Sequence, residues 1–169
     1  KKRLEILQTF NNLKFFREDI TDIQPINELF KDFKPNIVIN LAAQAGVRYS
    51  KINPNSYIDS NVLGFLNIFN LCRDYEVKKF IYASSSSIYG SSENIPYKED
   101  SSPSPISLYG KTKYINEIIS ESFALENSFK SVGLRFFTVY GPYGRPDMAY
   151  FKFSQKIKEN LKIELYNRG

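Results

Sequence analysis

Histidine is missing from the 169 residues, and cysteine occurs once, as Cys72. Without an imidazole there is no Ser-His-Asp hydrolase and no His-ligated metal. One thiol excludes an internal disulfide framework and a multi-thiolate zinc site. Cys72 falls in a helical apolar pattern, which predicts a place in a core. No apolar run approaches the ~20 residues that cross a bilayer, and no stretch reads as a signal peptide. A strong charge of one sign is lacking too: the formal net charge is +5. Apart from Lys1, Lys2 and Arg3 the basic residues are dispersed. That suits at most an anionic small ligand and gives no nucleic-acid footprint.

What is present is ordinary for a globular chain, 42% hydrophobic and 24% charged, and the length suffices for one domain with a sizeable core. Residues 1–12 give only a short helical hint. Leu13–Phe16 reads as a strand. Thr21 or Asp22 can cap a helix to about Phe33, with Ile23, Ile26, Leu29 and Phe30 as its stripe. Ile37–Ala43 is led by β-branched residues, the pattern of a parallel strand buried on both faces. A loop, 44–50, precedes a predicted helix from about Asn55 to Tyr75. Lys79–Ala83 is a further strand, running into Ser84, Ser85, Ser86 and Ser87. Residues 91–106 form a Ser/Pro-rich loop that positions a site. Then come a helix from Ser107 to about Asn127, a strand Val132–Phe137, a helix from about Met148 to Asn160 and a strand Lys162–Tyr166. Strands alternating with helices predict an α/β fold around a parallel sheet with right-handed crossovers. Ligands of such sheets bind beyond the carboxyl ends of the strands, where Asp19, Ala42, Ala43, the serine run and Thr138 all stand.

Within the helix that starts at Ser107, Tyr109 and Lys113 are four residues apart and share one face. A phenol of pKa about 10 is a poor base at neutral pH. An adjacent ammonium favours its phenolate, giving a base able to take a proton from a sugar or alcohol hydroxyl as hydride leaves the same carbon. Alone, a Y-x-x-x-K pair equally describes one turn of a solvated helix. The serine run upstream and the Gly/Pro-rich turn downstream, 141–146, favour the functional reading. Other assignments stay two-sided. The four serines satisfy a polar turn or face a ligand. Asp19 caps a helix entry or contacts a ligand. Asn61 is a ligand contact or a polar helix residue. Arg48 and Arg145 are surface arginines, or clamps for a diphosphate or carboxylate in strand-end loops.

Four blocks, EDITD, NLAAQAGVRYS, YASSSSIYG with YGKTK, and GLRFFTVYGPYGRPDMAYF, resemble in order and spacing the extended short-chain dehydrogenase/reductase family of nucleotide-sugar epimerases and dehydratases. Within it they are most similar to the UDP-glucuronate 4-epimerases. The resemblance covers nearly the whole chain. It implies a Rossmann-like, doubly wound parallel sheet holding NAD, with Asp19 and Ile20 against the adenine and Leu41, Ala42 and Ala43 lining the dinucleotide cleft. Asn61 and Phe136 match further cofactor contacts, and Lys113 would hold the nicotinamide ribose while biasing Tyr109 to phenolate. Ser85 matches the catalytic Ser/Thr. Ser86, Ser87, Thr138 and Arg145 would recognise a glucuronate carboxylate, while Arg48 is a substrate-binding candidate from its place in a strand-end loop. The implied reaction is oxidation of a UDP-sugar at C4, rotation of the keto sugar, and hydride return to its other face.

Several departures sharpen that expectation. Dehydratases of the family carry Asp and Glu directly after the catalytic residue, and decarboxylating relatives keep the Glu. Here Ser86 and Ser87 stand there and cannot act as carboxylic acids. Galactose-type epimerases usually have Asn where Thr138 stands. The family's glycine-rich phosphate turn is absent, so the first two strands of the expected order 3-2-1-4-5-6 are missing. The chain is therefore expected to be part of a longer protein: a partial NAD-binding domain with the start of a substrate region at about 141–169. Family habit further implies a cytoplasmic homodimer, paired through the two long helices, and polysaccharide-precursor supply. The competing readings are an epimerase or reductase for another nucleotide sugar, a dehydratase, and a non-catalytic NAD-binding module.

Overall fold

The structure, a computed structural model, describes residues 2–91, 95–123, 130–146 and 148–165. The chain divides into two compact units, Phe16–Phe137 and a second made of residues 1–15 and 138–169.

The larger unit is a Rossmann-like α/β layer. Helix α2 (Ile23–Phe33) begins where the Asp22 carboxylate accepts from the Gln24 N–H, and it ends at Lys34, whose left-handed backbone returns its N–H to the Phe30 carbonyl. Strands β1 (Ile37–Asn40), β2 (Lys79–Ala83) and β3 (Lys130–Leu134) form a parallel sheet in the order β1-β2-β3, with Val38, Phe80 and Ser131 in register. Between β1 and β2 the chain forms α3 (Pro54–Ile58), a π-helical segment Asp59–Leu63, and α4 (Gly64–Asp74). Helix α5 (Leu108–Ser122) links β2 to β3. The core lies between α2, α4 and one sheet face: Ile26, Phe30, Phe65, Ile68, Phe69, Leu71, Cys72, Val77, Phe80 and Tyr82. Phe65 meets Phe80 and Tyr82 with ring centroids 5.6 and 5.1 Å apart. Such pairs add about 1 kcal/mol to simple burial. Cys72 is fully buried, as predicted, and burial pushes its thiol up to about 12. The second unit holds α1 (Lys2–Leu7) and α6 (Ala149–Lys158). There the Tyr150 hydroxyl donates to the Val139 carbonyl at 3.1 Å, and Tyr150 packs on Tyr140 and Phe151.

Several elements depart from the sequence expectation. Leu13–Phe16 joins no sheet among the described residues, because a strand exists only against a hydrogen-bonding neighbour. Residues 162–165 form no strand for the same reason, and Tyr166 lies outside the described residues, as do 124–127 of the predicted third long helix. β1 stops at Asn40, whose side-chain oxygen accepts from the Ala42 N–H at 3.1 Å and turns the chain out of the ladder. Its expected burial on both faces fails: Ile37, Ile39 and Leu41 are exposed, while Asn40 is covered. β3 is shifted, running 130–134 instead of 132–137. The Asn55–Tyr75 helix is present but broken by its π segment.

Candidate active site

Two strand ends and one helix start build the site. At the end of β1 the chain leaves the sheet at small residues, and an open cavity of about 450 Å³ lies there, lined by Arg17, Glu18, Asp19, Ile20, Ala42, Ala43, Gln44 and Ser60. Helix α4 holds its far wall. The Asn67 amide donates to the carbonyls of Ile20 and Thr21 at 3.0 and 3.2 Å, and a Cβ at Gly64 would stand 2.7 Å from the Ile20 side chain. Asp19 does not cap α2, which Asp22 does; its carboxylate accepts from the backbone N–H and hydroxyl of Thr21, which hold its pKa below the usual value. Four of the predicted cofactor residues, Asp19, Ile20, Ala42 and Ala43, thus share one cavity, and Leu41 is exposed outside its lining.

Asn61 is buried in the π segment and is fully engaged. Its amide oxygen accepts from the Gln44 N–H at 2.7 Å, and its nitrogen donates to the Gln44 carbonyl and to Thr112 Oγ1, both at 3.0 Å. Thr112 in turn donates to the Tyr109 carbonyl at 2.9 Å. The wide turn of a π segment re-aims one residue against its helical neighbours. Here it sends Asn61 across to the cavity loop and to α5 at once.

Helix α5 opens on Ser107, whose hydroxyl accepts from the Gly110 N–H at 3.0 Å. Tyr109 is half-buried, and its ring meets the edge of the fully buried Tyr57 ring at 6.2 Å. The Tyr57 hydroxyl lies 2.6 Å from the Gly46 carbonyl and 3.1 Å from that of Ala45. Lys113 is 3% exposed and donates from Nζ to the Ala83 carbonyl, the last of β2, at 2.9 Å. Burial lowers its pKa to about 8.

Beyond Ala83 the serine run forms a single 3₁₀ turn, Ser86–Ile88, capped by Ser85, whose hydroxyl accepts from the Ser87 N–H at 3.1 Å. Ser85 is buried, and Ser86 and Ser87 are partly exposed. The turn packs on the first turn of α5: a Cβ at Gly110 would lie 2.7 Å from the Ser87 carbonyl. The Ser86 N–H continues the ladder to the Phe136 carbonyl at 2.9 Å. The fold therefore gathers Tyr109, Lys113, Ser85, Ser86 and Ser87 where α5 begins and β2 ends, with Phe136 alongside, two residues past the end of β3. Arg48 is exposed and leads the turn Tyr49–Lys51. Thr138 and Arg145 belong to the second unit, where both are exposed. Sequence reasoning missed Asn67, Gly64, Tyr57 and Thr112. The only signal for them is a small or polar residue on an otherwise apolar helix face.

The chain as a whole is similar to known proteins. A UDP-glucuronate 4-epimerase of Thermodesulfobacterium geofontis is 41% identical over 168 residues, covering 99% of this chain and 52% of the relative. The crystal structure of a Bacillus cereus UDP-glucuronic acid 4-epimerase in complex with UDP-glucuronic acid and NAD superposes with a TM-score of 0.86 at 32% identity, over 95% of this chain and 50% of that one. A Thermus thermophilus UDP-glucose 4-epimerase in complex with NAD gives a TM-score of 0.86 at 32% identity, over 94% and 53%. The chain spans about half the length of the curated relatives it matches. With residues 2–169 matching throughout, the chain belongs to the NAD dependent epimerase/dehydratase family.

Proposed function

We propose that this chain carries the catalytic residues of an NAD-dependent UDP-sugar 4-epimerase whose substrate is UDP-glucuronate, converted to UDP-galacturonate. The observation that carries the reading is Lys113: a buried ammonium one helical turn from Tyr109, anchored on the carbonyl of Ala83, which ends β2 two residues before Ser85. A cation in that place holds the helix of Tyr109 against the strand end where substrate would lie.

The cavity at the end of β1 fits a nucleoside: two alanine methyls leave room, and a carboxylate held below its usual pKa supplies an acceptor. Asp19, Ile20, Ala42 and Ala43 would hold the adenosine end of NAD, with Asn61 fixing the loop, and Leu41 and Phe136 are further candidate contacts. Bound NAD supplies a hydride acceptor at sugar C4 that gives the hydride back, so the reaction has no net redox change. Tyr109 takes the proton of the 4-hydroxyl and returns it after the sugar has turned. Ser85 would share that proton by hydrogen bond, and Lys113 would hold the nicotinamide ribose. Ser86 and Ser87 supply hydroxyls and no carboxylic acid, which favours epimerisation over dehydration. In the larger unit, Ser86 and Ser87 are candidates for carboxylate recognition and Arg48 for a diphosphate; Thr138 and Arg145 are candidates of the second unit for the carboxylate. The assembly of the reading is a homodimer.

The test is a panel of UDP-sugars offered to the intact enzyme, followed by C4 inversion. UDP-glucuronate is expected to turn over best, and Tyr109→Phe to lower kcat by roughly 10²–10⁴-fold. Unchanged turnover in Tyr109→Phe rejects the mechanism. Arg145→Ala should impair UDP-glucuronate far more than UDP-glucose, and equal losses reject its carboxylate role.

A further inference from the structure

One turn beyond Lys113, on the same side of α5, stands Glu117. Its carboxylate uses both oxygens. Oε1 accepts from the Ser84 hydroxyl at 2.5 Å and from Arg135 Nε at 3.0 Å, and Oε2 accepts from Arg135 Nη2 at 2.9 Å. The two charged side chains are each 17% exposed, and Ser84 is 3% exposed. The remaining guanidinium nitrogen of Arg135, Nη1, donates to the Glu99 carbonyl in the loop before α5 at 3.1 Å, and the group lies 4.9 Å above the Tyr89 ring. Tyr89 stacks on Tyr97 at 4.8 Å.

Three elements of the site meet in this cluster. Glu117 belongs to the helix of Tyr109 and Lys113. Ser84 immediately precedes Ser85, and its N–H reaches the Leu134 carbonyl at 2.8 Å. Arg135 lies between Leu134 and Phe136 at the end of β3. A fork-to-carboxylate ion pair fixes angle as well as distance. In a largely dry setting, removing one partner strands the other's charge. Stability alone does not demand such a pair, since a well-packed apolar set of similar volume is often as stable. What an apolar set cannot do is fix Ser84 by a directional bond, and with it the next residue in the chain.

We propose that Glu117 is a positioning residue of this enzyme: through Arg135 and Ser84 it fixes the backbone of Ser85 relative to the Tyr109 helix. The proposal rests on the epimerase reading above and is tested in the intact enzyme with UDP-glucuronate, at a temperature where each variant is folded by circular dichroism. Ser84→Ala leaves the ion pair whole, and Glu117→Gln removes its charge while keeping its shape. Each should lower kcat by roughly 10-fold or more with KM changed less than about two-fold, since small misplacement of a reacting group is felt in the chemical step. The same two changes made in a Ser85→Ala background should cost less than about two-fold, because the residue they orient is gone. Equal losses in both backgrounds, or full activity in Ser84→Ala, overturn the proposal and leave Glu117 a scaffold residue. A Tyr109→Phe control run alongside separates the two ideas: its failure to slow turnover rejects the epimerase reading, and its success with additive Glu117 effects rejects only the positioning role.

Discussion

Lys113 and Asn61 are the two buried polar side chains on which the site turns, and each sets a measurable cost. Burial holds the Lys113 pKa at about 8, against an ordinary 10.5. Between those values the unfolded chain carries a proton that the folded chain lacks, so stability rises as pH rises through that window. Below pH 8 both states are protonated, and the full cost of an interior ammonium stands. Lys113→Met should therefore be more stable than the parent at pH 7, and its advantage should shrink by about 3 kcal/mol by pH 10.5. Urea unfolding of both proteins at the two pH values checks the sign; an advantage that grows with pH contradicts it. Asn61 carries the opposite balance, because its amide satisfies both backbone groups of Gln44 and the Thr112 hydroxyl. Asn61→Ala leaves both Gln44 backbone groups without that partner and takes one of the two hydrogen bonds of the buried Thr112 hydroxyl, and should cost roughly 2–4 kcal/mol. Thermal unfolding measures that cost, and loss of NAD affinity should accompany it as the Gln44 loop loosens.

At the scale of elements, the proposed catalytic geometry depends on how closely α5 approaches the serine turn. Alanine favours a helix interior over glycine by about 1 kcal/mol. At Gly110 a Cβ would meet the Ser87 carbonyl at 2.7 Å and the Pro105 side chain at 3.2 Å. The backbone carbonyl has little freedom to give way, so overpacking wins: Gly110→Ala should lose about 1–3 kcal/mol and shift the serine turn. Calorimetry reads the first, and epimerase kcat in the intact enzyme reads the second. The glycine of YGKTK was legible as part of a motif, but its steric reason is not, since it lies in a contact with Ser87 in the distant serine turn. The same distinction runs through the fold. β2 was readable from Lys79–Ala83, and α2 from its cap and stripe, because both follow from local pattern. Leu13–Phe16 carries as good a strand pattern and forms none, because pairing is not local. The π segment is equally silent in the sequence: Asp59–Leu63 fits the helical period on both sides, and only the bonds of Asn61 show why the turn widens. Tyr109, Lys113 and the serines were legible as a constellation. The Glu117–Arg135 pair was not, since charges eighteen residues apart give no periodic signal.

At the scale of the whole molecule, the two faces of the sheet are unequal. One is covered by α2, α4 and α5. The other presents Ile37, Ile39 and Leu41 beside Val132 and Leu134, exposed by between 38% and 63%. Register places Ile39, Ile81 and Val132 side by side across the three strands, so the apolar side chains form a continuous strip and not scattered singles. A strip of this kind on a parallel sheet, whose faces are ordinarily both covered, is a surface that water opposes. Residues 1–169 prepared alone should therefore bind a hydrophobic dye and associate with rising concentration. Thr keeps the β-branched shape that a strand favours while removing apolar area. The double variant Ile39→Thr, Val132→Thr should weaken association by about 1–3 kcal/mol per contact while leaving the strands intact. Sedimentation velocity with dye fluorescence decides it: a shift toward monomer with dimmer dye is the expected result. Unchanged association with intact circular dichroism would place the sticky surface elsewhere, on helix residues such as Ile58, Leu63 and Ile118, which are also exposed.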